Sequence, residues 1–247
     1  MGGFSVVQRF VSCAGFILLA AALAGAQSPD LSTIVSRMVA AGHDNTLHAH
    51  AFTVKRDYQL LDKQMEPKAQ VVANITFVPP DQRQYEVESA SGGIGAKILR
   101  DILAREAELP KDPQRKEISP ENYEFRLLGA AMVDGSPCYV LALEPRRDEK
   151  DLIRGQVWVD KETYRIRRAE GKPVKSPSWW IHDVYILMTF AEIDGMWLRT
   201  FTHATANVRF KGRYEVVSRD LEYGPAQSAK VRTHRNPGIL AGSAVNP

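Results

Sequence analysis

The chain has 247 residues, 44% of them hydrophobic, and a formal net charge of +3 at pH 7. That hydrophobic content is enough for one domain with a core of its own. A charge so close to balance excludes the dense basic surface that nucleic-acid binding requires, so nucleic acid is not a predicted partner.

The N-terminal 26 residues have the pattern of a cleavable export signal. Arg9 is the only charge before Asp30, an apolar stretch fills residues 10–23, and Ala24-Gly25-Ala26 provides a small-residue cleavage site. The apolar stretch is short for a membrane span, although a retained N-terminal anchor is the alternative interpretation. We predict cleavage near Ala26 and a mature chain that begins at Gln27.

Cysteine content excludes an internal disulfide in the predicted mature chain. Cys13 lies in the signal and leaves Cys138 alone. Cys138 lies in the strand-like run Pro137-Cys138-Tyr139-Val140-Leu141, where a free cysteine usually acts as a small buried hydrophobe. A reactive thiol is the alternative, but no His or Lys lies next to it in sequence to lower its pKa.

The predicted domain, residues 27–224, begins with a helix. Ser28-Pro29-Asp30 suits a helix start, and Gly42 is a suitable end. Between them one apolar face is formed at helical spacing by Leu31, Ile34, Val35, Met38 and Val39.

A second helix is predicted over residues 94–109, after the flexible segment 89–93 and before Pro110. Its predicted apolar face contains Ile94, Ile98, Leu99, Ile102 and Leu103. The opposite face is predicted to carry Lys97, Arg100, Asp101, Arg105 and Glu106. Two interpretations stay open: the helix either packs permanently on a core or acts as a lid hinged at 89–93.

The remaining segments alternate with the period of β-strands. One begins near His48 and runs to about residue 60, and the others cover 70–78, 84–89, 123–133, 138–144, 155–160, 164–170, 184–193, 196–209 and 213–223. Pro79-Pro80-Asp81 predicts a turn, and Asp134-Gly135 and Asp194-Gly195 predict tight hairpins. The interior faces are predicted to contain Ile75, Phe77, Leu141, Leu143, Val157 and Val159.

These elements predict an α+β fold that is mainly antiparallel β. About ten sequential strands cannot lie flat without curling. We therefore expect a strongly curved open half β-barrel with two helices packed on its concave side. Residues 225–247, rich in Pro, Gly, Ser and Ala, are predicted to form a flexible C-terminal tail.

The sequence contains few motifs that would indicate catalysis. Glycine-rich nucleotide motifs, a Gly-x-Ser-x-Gly elbow and His-Glu-x-x-His do not occur, so we predict neither an enzyme nor a cofactor. His48 and His50 would share one side of a strand, but a catalytic zinc needs a third protein ligand that the spacing does not select. No metal site is predicted.

Trp179 and Trp180 either pack against the sheet or form an exposed contact for a partner or lipid headgroup.

Three segments carry a resemblance to a known family. They are Gly-x-x-Cys-Tyr-Val-Leu-x-Leu-x-Pro over 135–145, Val-Trp-Val-Asp-x-x-Thr-Tyr-Arg-Ile-Arg-Arg over 157–168, and Asp-Gly-Met-Trp-Leu over 194–198. With the order of helices and strands, they make residues 31–223 similar to the LolA/LolB-like superfamily of bacterial envelope proteins. The resemblance implies an unclosed barrel with helices over an apolar cavity, a periplasmic location and a role related to outer-membrane lipoprotein sorting.

The expected function is therefore binding of a lipid or lipoprotein acyl group, without catalysis. The expected cavity or lid residues are Ile75, Phe77, Ile94, Ile98, Leu99, Ile102 and Leu103. The alternative is a periplasmic sensor or assembly domain that binds an envelope protein partner with the same fold.

Overall fold

The computed structural model describes residues 29–80, 82–108, 113–149, 151–176 and 178–226. The predicted export signal, with Cys13, and the predicted tail beyond residue 226 lie outside the described residues. Within the described segments, no helix is both long enough and apolar enough to cross a membrane.

Ten strands form one antiparallel sheet. They are β1 (Phe52–Asp62), β2 (Pro67–Val78), β3 (Gln82–Ser91), β4 (Tyr123–Val133), β5 (Ser136–Pro145), β6 (Ile153–Asp160), β7 (Ile166–Pro173), β8 (Ile181–Ile193), β9 (Met196–Val208) and β10 (Gly212–Pro225). Their order is β3-β2-β1-β10-β9-β8-β7-β6-β5-β4. The sheet is therefore open, with β3 and β4 at its two edges, and the predicted fold class is confirmed.

The connection between the two edge strands contains helix α2 (Ile94–Ala107) and a short 3₁₀ helix (Pro113–Lys116). The chain must therefore pass from one edge of the curved sheet to the other through α2, which packs on β1, β2 and β3. This topology explains why helical segments interrupt the run of strands between β3 and β4.

The two Asp-Gly hairpins form as predicted. Asp134 and Gly135 have φ values of 48° and 80°, and Asp194 and Gly195 have 50° and 75°. Positive φ at both central residues gives the turn the twist of the flanking strands, and Asp-Gly tolerates it better than most pairs. These turns set the registers of β4 with β5 and of β8 with β9.

The turn between β6 and β7 is held by a buried carboxylate. Asp160 Oδ1 accepts from the backbone N–H groups of Glu162 and Thr163 at 2.9 Å each, and Arg167 Nε donates to Oδ2 at 2.5 Å. Burial alone would raise the pKa of Asp160, but the Thr163 N–H and the Arg167 guanidinium outweigh it and lower the pKa below its ordinary value.

Helix α1 (Leu31–Leu47) begins directly after the predicted start at Ser28-Pro29-Asp30. Its cap is Asp30 and not Ser28, because the Asp30 carboxylate accepts from Thr33 N at 2.7 Å. The predicted end at Gly42 is wrong. The helix continues to Leu47 because Asn45 is anchored to the sheet: its Nδ2 donates to Trp197 O at 3.0 Å, and Trp197 N donates to Asn45 Oδ1 at 2.6 Å.

The apolar side of the sheet is covered in two parts. The first cluster joins Ile34, Val35 and Met38 of α1 to Leu141, Leu143, Val157 and Val159, all buried. The second joins Leu99 and Leu103 of α2 to Tyr58, Val71 and Ala73. The predicted inward faces of β5 and β6 are confirmed. So is the predicted burial of Cys138, whose thiol pKa is raised by burial.

Candidate ligand-binding cavity

A cavity of about 430 Å³ opens between α2 and the strands β1, β2, β8, β9 and β10. It lies where the two clusters meet, because Leu103 belongs to the α2 cluster while Ile118, Met188 and Phe190 pack against the α1 cluster. The cavity wall is mainly apolar: Phe52, Val54, Ile75, Phe77, Leu103, Ile118, Met188, Phe190 and Leu198.

Helix α2 faces the sheet with a different stripe from the predicted one. Its buried residues are Ala96, Leu99 and Leu103, whereas Ile94 is 78% and Ile98 39% exposed. At 100° per residue, Ile94 and Ile98 lie on the side of the helix opposite Ala96 and Leu103. The expectation that Ile94 and Ile98 cover the cavity is wrong, since the backbone phase turns them toward solvent.

Three of the seven predicted site residues line the cavity. Ile75 and Phe77 contribute from one face of β2, and Leu103 contributes from α2. Leu99 is fully buried against the sheet, and Ile102 packs partly buried against the same cluster. The structure thus brings Ile75, Phe77 and Leu103 together.

One polar residue of α2 also points into the cavity. Glu106 was predicted on the outer face, but its carboxylate accepts from Tyr58 Oη at 2.9 Å and lies 3.3 Å from Arg56 Nη1 and 3.2 Å from Arg199 Nη2. The helical spacing contains the signal for this position, because Glu106 follows Leu103 by three residues and Leu99 by seven.

Arg56 of β1 and Asp220 of β10 form the deepest part of this polar network. Their side chains are 12% and 2% exposed, and Arg56 binds the Asp220 carboxylate through Nε and through Nη2 at 3.0 Å. Burial lowers the pKa of Arg56, but the hydrogen bond and charge of Asp220 raise it above its ordinary value. Tyr223 donates to the same carboxylate, and burial together with Asp220 raises the pKa of Tyr223.

Arg83 of β3 lies at the solvent-exposed mouth of the cavity. Its Nη1 donates to Glu106 O at 3.0 Å, and its guanidinium lies 5.8 Å from the centre of the Phe77 ring. Desolvation and the nearby positive charge of Arg199 lower the pKa of Arg83. The site therefore has three parts. They are the apolar wall, a polar floor formed by the ion-paired Arg56, Glu106 and Asp220, and a cationic mouth at Arg83.

The histidines considered for a metal lie outside the cavity. His48 caps the end of α1 rather than starting a strand, and its Nδ1 lies 3.2 Å from Asp44 Oδ1. His50 Nε2 lies 3.0 Å from Asp194 Oδ2. Each imidazole is paired with a different carboxylate, so they do not converge on one point.

Trp179 and Trp180 precede β8 and are 81% and 39% exposed. Phe210, in the turn between β9 and β10, is 95% exposed. Arg209 links them, since its guanidinium lies 5.9 Å from the Trp179 ring centre and 5.4 Å from that of Phe210. We call Trp179, Trp180 and Phe210 the aromatic patch.

The described residues form an open antiparallel sheet with two α-helices packed on one side, which agrees with the architecture that the sequence resemblance implied. The chain matches none of the protein-family models, and none of the curated proteins compared with it.

Solved structures similar to it include a domain named for outer membrane lipoprotein sorting, from Vibrio parahaemolyticus, at 13% identity and a TM-score of 0.45, covering 80% of this chain and 95% of that one. A DUF1329 family protein from Desulfovibrio piger is 14% identical with a TM-score of 0.39, covering 81% and 95%. A LolA superfamily protein from Nitrosomonas europaea is 12% identical with a TM-score of 0.36, also covering 81% and 95%. At these identities the likeness concerns the fold alone.

Proposed function

We propose that this protein is an exported, non-catalytic binding protein that holds the acyl chain of a lipid or lipoprotein in the cavity under α2. The observation that carries the proposal is the mainly apolar wall that β1, β2, α2, β8 and β9 form around about 430 Å³. Cavities of about 300–1,000 Å³ with mainly apolar linings and few polar groups are typical of small-molecule sites.

The energetics favour an acyl chain as the ligand. Each methylene group that leaves water gains about 0.8 kcal/mol, so about ten methylenes gain on the order of 8 kcal/mol. A chain held against Ile75, Phe77 and Leu103 receives that shelter, while the opening of the cavity leaves a polar headgroup in contact with water.

Native mass spectrometry of protein purified from the cell envelope tests this proposal. We expect a bound species whose mass matches a lipid or an acylated peptide. Ile75→Trp places an indole in the cavity and should abolish that species, whereas Val78→Trp, an exposed position of the same strand on its other face, should retain it. Protein that carries no ligand and that binds no added fatty acid would overturn the proposal.

A second candidate function, binding of an envelope protein partner, is favoured by the aromatic patch. Exposed tryptophans with an adjacent arginine are typical of protein contact sites. A photoreactive residue at Trp179 should form one defined crosslinked product in cells, while the same residue at Arg100 on the exposed side of α2 should not. Identical crosslinking at both positions, or at neither, would contradict a partner on this patch.

A further inference from the structure

Among the described residues, the charged groups that line the cavity do not balance. Arg56, Arg83, Arg199 and Lys116 line it, against the two carboxylates of Glu106 and Asp220. Lys116 has a partner elsewhere, since its Nζ lies 3.3 Å from Asp151 Oδ2. Three positive charges, those of Arg56, Arg83 and Arg199, therefore remain against the two negative charges of Glu106 and Asp220.

Both acids are already occupied by partners within the protein. Asp220 is bound by Arg56 and Tyr223. Glu106 accepts from Tyr58 and Arg56 and lies 3.2 Å from Arg199. Their remaining capacity to neutralise another cation is small.

Arg83 is the cation left over. Among the described residues, no carboxylate lies within 4 Å of its guanidinium, which donates to one backbone carbonyl, Glu106 O. A guanidinium has five N–H donors, and this hydrogen bond uses one of those of Arg83. The ring of Phe77 and the carbonyl oxygen of Glu106 hold the Arg83 guanidinium beside the apolar wall of the cavity.

We propose that the cavity selects amphiphiles with an anionic headgroup, a carboxylate or a phosphate, which Arg83 binds at the mouth while the chain lies against Ile75, Phe77 and Leu103. This inference rests on the proposed function and adds the chemical class of the ligand. Arginine suits the role because its planar guanidinium can donate two parallel hydrogen bonds to either anion.

Electrostatics at the mouth agree with an anionic ligand. Desolvation and the charge of Arg199 lower the pKa of Arg83, so the two like charges are close enough to repel each other. An anion between them would offset that repulsion and would replace water on the unused donors. A neutral headgroup would leave the repulsion unchanged.

Displacement of the neutral fluorescent probe N-phenyl-1-naphthylamine tests the inference with three ligands of equal chain length: dodecanoate, dodecyl phosphate and dodecanol. At pH 7 and low salt we expect at least one anion to bind about tenfold more tightly than dodecanol. Which anion is preferred identifies the headgroup. Arg83→Gln should abolish this preference by weakening the binding of the anions much more than that of dodecanol. The matched control Arg100→Gln, on the exposed side of α2, should bind all three ligands like the parent.

The failures of the two proposals are distinguishable. If all three ligands displace the probe with equal affinity, the cavity binds chains without selecting anions; the inference is then wrong and the proposed function stands. If no ligand and no probe binds, both are wrong. If Arg83→Gln weakens dodecanol as much as the anions, Arg83 supports the cavity structurally and the inference is overturned.

Discussion

Replacing Arg56 by methionine should remove a large part of the stability of the domain. Asp220 is only 2% exposed, and Arg56 is its sole cationic partner within 4 Å among the described residues. Tyr223 alone would then face a buried carboxylate that has lost its counter-ion. Breaking a buried pair by removing one partner costs about 3–5 kcal/mol, and we expect a loss of that size in the free energy of unfolding.

The double variant Arg56→Met/Asp220→Leu isolates the cause. It removes both charges and leaves apolar side chains of similar volume, a change that is often close to neutral. We expect it to recover most of the loss. A residual loss of about 1 kcal/mol is expected because Glu106 loses one of its two arginine partners.

Urea denaturation followed by circular dichroism measures these differences, with Arg126→Met, at an exposed position of β4, as the control. An Arg56→Met variant within about 1 kcal/mol of the parent would show that the pair behaves like a surface ion pair. A double variant no more stable than Arg56→Met would show that the uncompensated carboxylate is not the cause. Either result would refute the reasoning.

Three further predictions concern the sheet, the helix and the effect of acid. Val157→Asp places a charge at a fully buried position and should lower the free energy of unfolding by more than about 3 kcal/mol. Gln156→Asp, on the other face of β6, should lower it by less than about 1 kcal/mol. Equal losses in urea denaturation would mean that the register of β6 is wrong. Leu103→Ala should lower the free energy of unfolding by about 2–5 kcal/mol, and Ile98→Ala should lower it by less than about 1 kcal/mol. A larger loss for Ile98→Ala than for Leu103→Ala would contradict the buried face assigned to α2. Because the pKa of Asp160 is lower in the folded state, its contribution to stability is present above the unfolded pKa and is lost as the pH falls through the folded pKa. Thermal melts between pH 2 and 6 should therefore show a smaller acid-induced fall below about pH 4 for Asp160→Asn than for the parent, and equal slopes would contradict the pairing.

The sheet was predictable from sequence because its signals are local. Alternation along β5 and β6 fixes which residues face inward, and one buried face specifies the register. Asp134-Gly135 and Asp194-Gly195 identify their own turns because few residue pairs tolerate positive φ twice. Such hairpins account for neighbours that follow each other in the chain, whereas the pairing of β1 with β10 joins distant segments and carries no local signal.

The polar floor of the cavity was not predictable in the same way. Arg56, Glu106 and Asp220 lie on three elements far apart in sequence. Arg56 and Asp220 meet as cross-strand neighbours when β1 pairs with β10, and Glu106 reaches Arg56 from α2. Each one alone resembles a solvated surface charge. The apolar face of α2 was predicted to include Ile94 and Ile98, because both are large and hydrophobic, but both are exposed. The true phase follows from Ala96, a small residue that allows close packing on the sheet.

A crystal structure with 12-bromododecanoate tests the central claim, that the cavity holds an acyl chain, most directly. Bromine scatters anomalously, so its position can be located independently of how the chain is traced. The account predicts the bromine between Ile75, Phe77 and Leu103, with the carboxylate toward Arg83 at the mouth. A ligand bound with its bromine outside this cavity, for example on the aromatic patch, would contradict the account.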